Sequence, residues 1–402
     1  MTGSAELRVL HEISPVADSN GIHGACRGGM HFARPLCVVV LFTVAAALVY
    51  SRAESQVTDP APTSPRVELI AAPELKLPGN ADSNSPAVWQ LVAGRWFLHV
   101  LTSVAGAPSY SWGSGITTLR PPLPVSIVPW PGEGVWMEAV VPDVDGTWYG
   151  YYHNERVASQ CSGTNKVIPR IGAARSADRG ATWVDLGIIL EAPPGSYDCS
   201  TSNHYFVGGI GDLSVMLDPD SRDLYVFYSQ YVRFSRWQGV VVARMAWADR
   251  DSPVGKVTVW RGRVWAPSRR LPANGSDEAE PTWFYPLATP VLPAAEPWHD
   301  ADEQVDAFWG PSVHWNTHLR LYVMLLNHAR DAEFGQEGIY VSYAPRLDDP
   351  SLWSTPAKIL DGGSWYPEII GIETAVGTDK LSGQWARFFM SGTSRHLIRF
   401  IQ

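Results

Sequence analysis

Short apolar runs, each ended by Gly, Pro, Asp or Asn, fill most of this chain and limit its fold more than any other feature. From residue 67 onward almost no stretch has the i, i+3, i+4, i+7 apolar spacing of an amphipathic helix. Alternating, β-branched and aromatic runs of strand length are frequent instead. The pattern predicts an all-β domain over residues 67–402.

These runs fall into five groups, each with the content of a four-stranded antiparallel sheet. The groups begin near residues 85, 137, 212, 310 and 366, and the first one counts GITTL, residues 115–119, as a strand. A unit that recurs every few tens of residues is typical of a propeller or a solenoid. We therefore predict a five-bladed β-propeller. A two-sheet sandwich is the alternative, although about twenty strands would be unusual in one.

The fifth group is one strand short. The run VELIAA, residues 67–72, has strand character and precedes the first group. If it pairs with the last strand of the chain, the ring closes and few strand edges stay open. We expect this N-terminal strand to close the propeller.

A long apolar run, residues 35–50, precedes the β-rich domain. It is shorter than the roughly 20 residues of a membrane-spanning helix and suits the apolar region of a signal peptide, with small residues following at a cleavage site. We predict a leader over residues 1–53, with the true start at Met30, and a flexible linker over residues 54–66. The protein would then be exported to the periplasm or the extracellular space. Retention of residues 35–50 as a membrane anchor is the alternative.

Export changes the interpretation of the cysteines. The chain has four, and Cys26 and Cys37 lie in the predicted leader. Cys161 and Cys199 would remain as an even pair in an oxidising compartment, which predicts one disulfide between them. Two unpaired buried thiols are the alternative.

Composition narrows the classes of ligand. The chain has 31 Lys plus Arg against 40 Asp plus Glu, a formal net charge of −9, and no basic run. A nucleic acid is therefore excluded as the expected partner. Its 18 Trp are more than packing alone demands, and indole rings provide stacking surfaces for a sugar-like ligand.

Four of the five groups begin with a carboxylate. These residues are Asp82, Glu138, Asp212 and Glu368. The first strand of each propeller blade lines the central channel and begins at the mouth, so we expect the four acids to converge in one cavity. Neighbouring carboxylates raise one another's pKa, which keeps one acid protonated beside an ionised one. Glycoside cleavage requires such a pair.

At these residues the chain resembles the five-bladed propeller glycoside hydrolases, which include arabinanases, β-xylosidases, arabinofuranosidases, invertases and levansucrases. The resemblance implies that Asp82 is a base or nucleophile. In that family blade two contributes a supporting Asp and blade three a Glu as proton donor, whereas Glu138 and Asp212 stand here in the reverse order. The donor is thus Glu138 or Asp212, and Glu368 is a further acid of the pocket. The WMNDPNG and RDP motifs of invertases are absent from the sequence.

Candidate substrate-binding residues lie near the same strand ends. They are the polar residues His153, Asn154, Glu155, Asn203 and His204 and the aromatic residues Trp136, Trp309, Trp365 and Tyr366. Capping of strands explains the polar residues equally well, and packing at the end of the propeller explains the aromatic ones.

His314 lies in the middle of the predicted inner strand of blade four. No cofactor is required, but the resemblance allows a Ca²⁺ ion or a water molecule beside this histidine in the central channel. A buried histidine with a backbone partner is the alternative.

The segment SADRGATW, residues 176–183, resembles the Asp-box SxDxGxTW of sialidases and other propellers. The resemblance implies a structural turn in which Asp178 accepts backbone hydrogen bonds and Trp183 packs beneath. A sialidase would also need three arginines around a carboxylate, usually introduced by an FRIP motif, which this sequence lacks.

Together these features predict an exported glycoside hydrolase that acts on an oligo- or polysaccharide. Contact with a membrane is expected only through an uncleaved signal anchor. Two alternatives stay open, namely a non-catalytic propeller that binds a glycan or a protein, and a sialidase-like exo-enzyme.

Overall fold

A computed structural model describes residues 66–163, 165–220, 222–271, 283–299 and 304–402. The predicted leader, the predicted start at Met30 and nearly all of the predicted linker lie outside the described residues. The described part belongs to one compact unit, Asp59–Gln402. It contains strands and short 3-10 helices and no α-helix. No helix in these described ranges is long and apolar enough to cross a membrane.

Twenty-six strands follow one another along the described chain. They are β1 (Val67–Lys76), β2 (Ala87–Val92), β3 (Arg95–Val104), β4 (Ala107–Gly113), β5 (Leu123–Pro124), β6 (Ser126–Val128), β7 (Gly134–Pro142), β8 (Trp148–Val157), β9 (Val167–Ser176), β10 (Thr182–Leu190), β11 (Ile210–Leu217), β12 (Asp223–Gln230), β13 (Gly239–Ala246), β14 (Thr258–Trp260), β15 (Trp265–Pro267), β16 (Arg269–Arg270), β17 (Trp283–Phe284), β18 (Leu292–Pro293), β19 (Gln304–Asn316), β20 (Leu321–Asp331), β21 (Gln336–Ala344), β22 (Ala357–Asp361), β23 (Pro367–Gly371), β24 (Leu381–Ser382), β25 (Trp385–Met390) and β26 (Thr393–Phe400). The 3-10 helices are Ile116–Thr118, Ser235–Trp237, Trp247–Asp249 and Pro350–Leu352.

The strands form the five blades that the sequence predicts. Blade one contains β2–β5, blade two β7–β10 with β6 at its outer edge, and blade three β11–β15 with β18 beside β13. Blade four contains β19–β22 with β24 beside β19, and blade five contains β23, β25, β26 and β1. Within each blade, successive strands are antiparallel neighbours. The predicted all-β five-bladed propeller is confirmed.

The N-terminal strand closes the ring as predicted. Strand β1 pairs antiparallel with β26, from Val67 opposite Phe400 to Lys76 opposite Thr393. The first and last strands of the domain therefore belong to one blade, and the fifth sheet is complete only with both.

The outer part of blade one differs from the prediction. Residues 115–119 contain the 3-10 helix Ile116–Thr118 instead of a strand. The backbone N–H and the hydroxyl of Thr118 both bond to the carbonyl of Gly115 at 3.0 Å, which closes a helical turn there. The fourth strand of this blade is instead Leu123–Pro124.

The core lies in the layers between neighbouring blades. Between blades two and three, for example, Tyr151, Leu213, Val226 and Val241 pack in one buried apolar cluster. Sheets covered on both faces need apolar side chains on both faces, which explains the nearly continuous apolar runs of strands such as β12 and β13.

Side chains near the central channel join each blade to the next. In every case a side-chain oxygen accepts a hydrogen bond from a backbone N–H of the following blade. The pairs are Ser103 with Met137 (3.0 Å), Glu138 with Leu213 (2.6 Å), Ser214 with Val313 (3.0 Å), Asn327 with Tyr366 (3.1 Å) and Glu368 with Ser85 (2.6 Å). These five joints complete a circuit around the ring.

Cys161 and Cys199 form the predicted disulfide, with their Cα atoms 5.2 Å apart. It ties the connection between β8 and β9 to the segment that leads into β11. That segment also carries Tyr205 and Phe206.

The turn between β9 and β10 is held by its own side chains. Asp178 Oδ1 accepts a hydrogen bond from the backbone N–H of Thr182 at 2.8 Å. The buried indole of Trp183 donates to the carbonyl of Gly180 at 2.9 Å, and Gly180 has a φ of 86°, which favours glycine. These contacts serve the turn itself.

Candidate active site

A cavity of about 220 Å³ lies beside the inner strands of the propeller. Its polar lining residues are Asp82, Glu138, His153, Glu155 and Asp212. Its aromatic lining residues are Trp136, Tyr205, Phe206, Trp309, Phe334, Trp365 and Tyr366. Carboxylates thus meet a wall of aromatic rings.

The structure brings three of the four predicted catalytic acids to this cavity, and Glu368 is not among the lining residues. Glu368 is the second residue of β23, whereas Tyr366, which precedes the strand, reaches the cavity. Two residues along a strand correspond to about 6.5 Å. The carboxyl of Glu368 is therefore displaced along the channel, where it bonds to Ser85 of blade one.

Bulges place the other two inner-strand acids. Glu138 lies at a register shift between Met137 and Ala139 in β7, and Asp212 at one between Gly211 and Leu213 in β11. Asp212 also has a φ of 47°, which is uncommon for a residue with a side chain. Bulges redirect side chains and are frequent beside active sites.

Glu138 is almost completely buried, with 1% of its surface exposed. Its Oε2 accepts the Leu213 N–H at 2.6 Å, and its Oε1 lies 3.8 Å from Nδ1 of His153. Burial, and then the nearby Asp212 carboxylate, hold the pKa of Glu138 well above its ordinary value. Both effects favour the protonated form of Glu138.

Asp212 has hydroxyl donors on both of its oxygens. Its Oδ2 accepts a hydrogen bond from the hydroxyl of Tyr231, and its Oδ1 accepts one from Tyr366 at 3.1 Å. Burial raises the pKa of Asp212, while His153 and these two hydroxyls act in the opposite direction. The two donated hydrogen bonds favour the ionised form of Asp212, but burial outweighs them and its pKa stays above the ordinary value.

His153 connects the acids. Its Nδ1 accepts the backbone N–H of Asp212 at 3.1 Å, and its Nε2 lies 3.3 Å from Oε1 of Glu155. Burial lowers the pKa of His153, but Glu155, Asp212 and Glu138 outweigh it and raise the pKa to about 9. Nδ1 can accept this hydrogen bond only while it carries no proton, so the contact with the Asp212 N–H belongs to the neutral ring. Protonation of Nδ1 would break the contact.

Asp82 lies in the segment before β2 and is only partly buried. Its Oδ1 accepts the indole N–H of Trp136 at 2.7 Å, and its Oδ2 accepts the backbone N–H of Ala105 at 3.3 Å. Burial raises the pKa of Asp82, against the effect of both hydrogen bonds. The two donors fix the carboxylate at the cavity wall.

All four predicted aromatic contacts line the cavity, namely Trp136, Trp309, Trp365 and Tyr366. Trp309 and Tyr366 are only 2% and 9% exposed, so they form its deep wall. The indole nitrogen of Trp309 is buried and has no hydrogen-bond partner among the described residues.

Three predicted substrate-binding residues, Asn154, Asn203 and His204, lie elsewhere. Asn154 is fully buried, where it donates to the carbonyls of Gly132 and Gly134 and accepts from Arg170. Neighbouring residues of a strand point to opposite faces, so Asn154 points away from the cavity that His153 lines. Its polar atoms connect strands instead. The His204 side chain is 75% exposed and pairs with Glu333 outside the cavity lining.

Sequence reasoning missed three aromatic residues of the cavity, Tyr205, Phe206 and Phe334. Tyr205 and Phe206 follow the disulfide cysteine Cys199 in an irregular segment, where no strand pattern assigns a direction to a side chain. Phe334 lies in the turn between β20 and β21 with a φ of 59°. Nothing in the sequence indicates that this turn reaches the cavity.

The surroundings of His314 do not fit Ca²⁺. This histidine lies on β19, is fully buried, and neither ring nitrogen has a hydrogen-bond partner among the described residues. Burial, and then the ammonium of Lys380, lower its pKa to about 3. Ca²⁺ takes six to eight oxygen ligands. Here the cation is Lys380, which lies 3.0 Å from Ser214 Oγ and 3.1 Å from Asp379 Oδ2.

No Lys or Arg is among the described residues that line the cavity. A sialidase-like site needs three arginines that converge on a carboxylate. The sialidase-like alternative therefore has no support in the described cavity.

No family model and no curated protein matches the chain. Solved structures do. A thermostable family-43 glycoside hydrolase is 10% identical, over 82% of this chain and 91% of that one, with a TM-score of 0.44. An endo-arabinase from Bacteroides thetaiotaomicron VPI-5482 is 8% identical, over 82% and 97%, with a TM-score of 0.45. An N-acetylgalactosamine deacetylase from F. plautii is 11% identical, over 83% and 96%, with a TM-score of 0.41.

The chain is similar to five-bladed glycoside hydrolases, as the sequence predicted, and this similarity concerns the fold alone. A shared fold does not by itself imply a shared activity.

Proposed function

We propose that the protein is a glycoside hydrolase in which Glu138 is the proton donor and Asp82 is the base or nucleophile. The observation that carries the proposal is the pairing of buried Glu138, whose pKa is held well above its ordinary value, with Asp212, whose two oxygens accept hydroxyl hydrogen bonds, in the cavity that also holds Asp82. Glycosidases need an acid and a carboxylate on either side of the scissile bond.

Hydrogen bonds assign the proton within Glu138. Because Oε2 accepts the Leu213 N–H, the proton resides on Oε1. Transfer of this proton to the glycosidic oxygen leaves the Glu138 carboxylate beside Asp212, with the His153 ring 3.8 Å away. Asp212 is thus the supporting acid, and the roles of blades two and three are exchanged relative to the family that the chain resembles.

Asp82 is the other reacting group. Trp136 and Ala105 hold its carboxylate in one orientation, and its partial exposure leaves it accessible to water or to a sugar carbon. Aromatic walls on the same cavity provide stacking surfaces for the sugar ring.

The disulfide supports the predicted export, because disulfides persist mainly in oxidising compartments. We propose that the mature protein acts on an oligo- or polysaccharide outside the cytoplasm.

A polysaccharide panel followed by two variants tests the proposal. Once a substrate is found, Glu138→Gln should lower kcat by about 10²- to 10⁴-fold, since the amide cannot donate the proton. The loss should be much smaller on 2,4-dinitrophenyl glycosides, whose leaving group needs no protonation. Asp82→Asn should be inactive on both substrates, and exposed Glu68→Gln serves as a matched control.

Wild-type rates for both Asp82→Asn and Glu138→Gln would show that the assignment is wrong. Saturable glycan binding by the parent protein, with no turnover on any substrate of the panel, would favour the non-catalytic alternative.

A further inference from the structure

The cavity has an unusual balance of charge. Four carboxylates line it, Asp82, Glu138, Glu155 and Asp212, and the single basic group among its described lining residues is His153. Even with Glu138 neutral and His153 charged, the carboxyl groups of Asp82, Glu155 and Asp212 outnumber the single imidazole ring. A site of this kind, partly excluded from water, attracts cations and repels anions.

The rest of the lining consists of aromatic rings. Seven of them surround the carboxylates, and Trp309, Phe334 and Tyr366 are nearly or fully buried. Ring faces attract a cation within about 6 Å of their centroid, and aromatic enclosures are a recognised environment for organic ammonium groups. Aromatic walls combined with carboxylates therefore suit a cationic organic ligand.

A metal ion is the other cation to consider. Glu138, His153 and Asp212 each offer a ligand atom within 4.8 Å of the other two. Each of the three side chains already accepts a hydrogen bond from the protein, however. His153 Nδ1 accepts a backbone N–H, Glu138 Oε2 accepts another, and Asp212 accepts two hydroxyls. A metal ion would have to replace several of these bonds, which favours an organic cation over a metal.

Glu155 is the carboxylate that a ligand can reach most readily beside His153. Its side chain is 24% exposed, against 1% for Glu138 and 4% for Asp212. It lies on β8, and its Oε1 contacts His153, so it also raises the pKa of that ring.

We propose that the cavity binds a single sugar ring that carries a free ammonium group, held by Glu155 and Asp82 against the aromatic wall. The inference rests on the proposed function for the sugar and goes beyond it in naming an amino sugar. The volume of about 220 Å³ suits one small ring, since sites for drug-sized ligands exceed about 300 Å³. Uronic and sialic acids are excluded by the same charge.

Binding to the Glu138→Gln protein tests this without any turnover. Isothermal titration calorimetry would compare D-glucosamine with N-acetyl-D-glucosamine, D-glucose and D-glucuronate, and then the corresponding galactose series. In at least one series the ammonium sugar should bind about tenfold or more tighter than its N-acetyl form, as one charged hydrogen bond provides. The uronate should not bind. Glu155→Gln in the same background should remove most of the preference, and the exposed Glu68→Gln should keep it.

Equal or tighter binding of the N-acetyl sugar in both series, or binding of the uronate, would overturn the proposal. Stoichiometric binding of Mn²⁺, Ca²⁺ or Zn²⁺ to the wild-type protein, lost in Glu138→Gln, would also overturn it. The carboxylates of the cavity would then be ligands of a metal ion. Because these measurements need no catalysis, a failed amino-sugar preference is distinguishable from a failed glycosidase assignment.

Discussion

Glu368 is a buried carboxyl with only part of its hydrogen-bonding capacity used. Its Oε2 accepts the Ser85 N–H, while Oε1 is buried without a partner among the described residues. Burial raises the pKa of Glu368 to about 8, from an ordinary value of 4.5. The neutral acid is therefore the form that the folded protein keeps at neutral pH.

The stability of the protein should depend on this proton. Between about pH 4.5 and 8 the folded protein holds a proton that the unfolded chain has released, so the free energy of unfolding falls as the pH rises. The slope from one such group is at most about 1.4 kcal/mol per pH unit. Glu368→Gln keeps an acceptor for Ser85 and cannot ionise, so its melting temperature should fall less than that of the wild type across this window.

Thermal denaturation at several pH values checks this expectation. The exposed Glu68→Gln variant should keep the wild-type dependence, because its side chain is accessible to water in both states. Identical slopes for Glu368→Gln and the wild type would contradict the argument.

At the residue scale, the sequence could predict which carboxylates face the channel but not their depth. Asp82, Glu138 and Asp212 reach the cavity, whereas Glu368 lies about two residues further along its strand. An alternation with a period of two predicts which face of the sheet a side chain occupies. The depth of that side chain in the channel depends on where each strand starts. His153 and Glu155 share one face of β8, whereas Asn154, which was predicted with them, lies on the other.

At the scale of the element, bulges shape the site more than the regular strands do. Shifts of register occur at Glu138 in β7, at Asp212 in β11 and between Trp309 and Ser312 in β19. Strand alternation predicted these inner strands and their order. It could not predict the extra residue of each bulge, because these strands are buried on both faces and their nearly continuous apolar runs do not reveal a shift of phase.

The segment tied by the disulfide should also control the cavity. Cys161 and Cys199 are 38 residues apart, and the segment that follows carries Tyr205 and Phe206 to the wall. A cross-link over a loop of this length stabilises by about 3 to 4 kcal/mol in the chain-entropy description. The double variant Cys161→Ser, Cys199→Ser should melt at a lower temperature and show a higher KM, since the aromatic wall loosens.

Thermal unfolding with and without dithiothreitol tests this expectation. Reductant should lower the melting temperature of the wild type and leave the double variant unchanged. An unchanged wild-type midpoint, once both thiols titrate as free, would contradict a stabilising role for the cross-link.

At the scale of the whole molecule, ring closure depends on the first strand. β1 provides one strand of blade five, and Glu368 of that blade bonds to Ser85 of blade one. The fold could be predicted from the sequence because five similar groups repeat and one lacks a strand. The contents of the cavity could be predicted only in part, because irregular segments contribute Tyr205, Phe206 and Phe334.

Two truncations measure this closure. A protein that begins at Arg66 should fold like the longer chain, because every described pairing of β1 is retained. One that begins at Leu77 loses β1, exposes the edge of β26 and should aggregate or melt far lower. Circular dichroism melts and gel filtration compare the two. Similar stability for both would contradict the closing role of β1.

Because Val67 and Phe400 are partners in one ladder, the two ends of the propeller lie side by side. A short glycine-serine bridge could connect them without spanning the molecule. New termini could then be opened at the exposed hairpin around Val144, between β7 and β8. Such a circular permutant would keep every blade while changing the order in which they leave the ribosome.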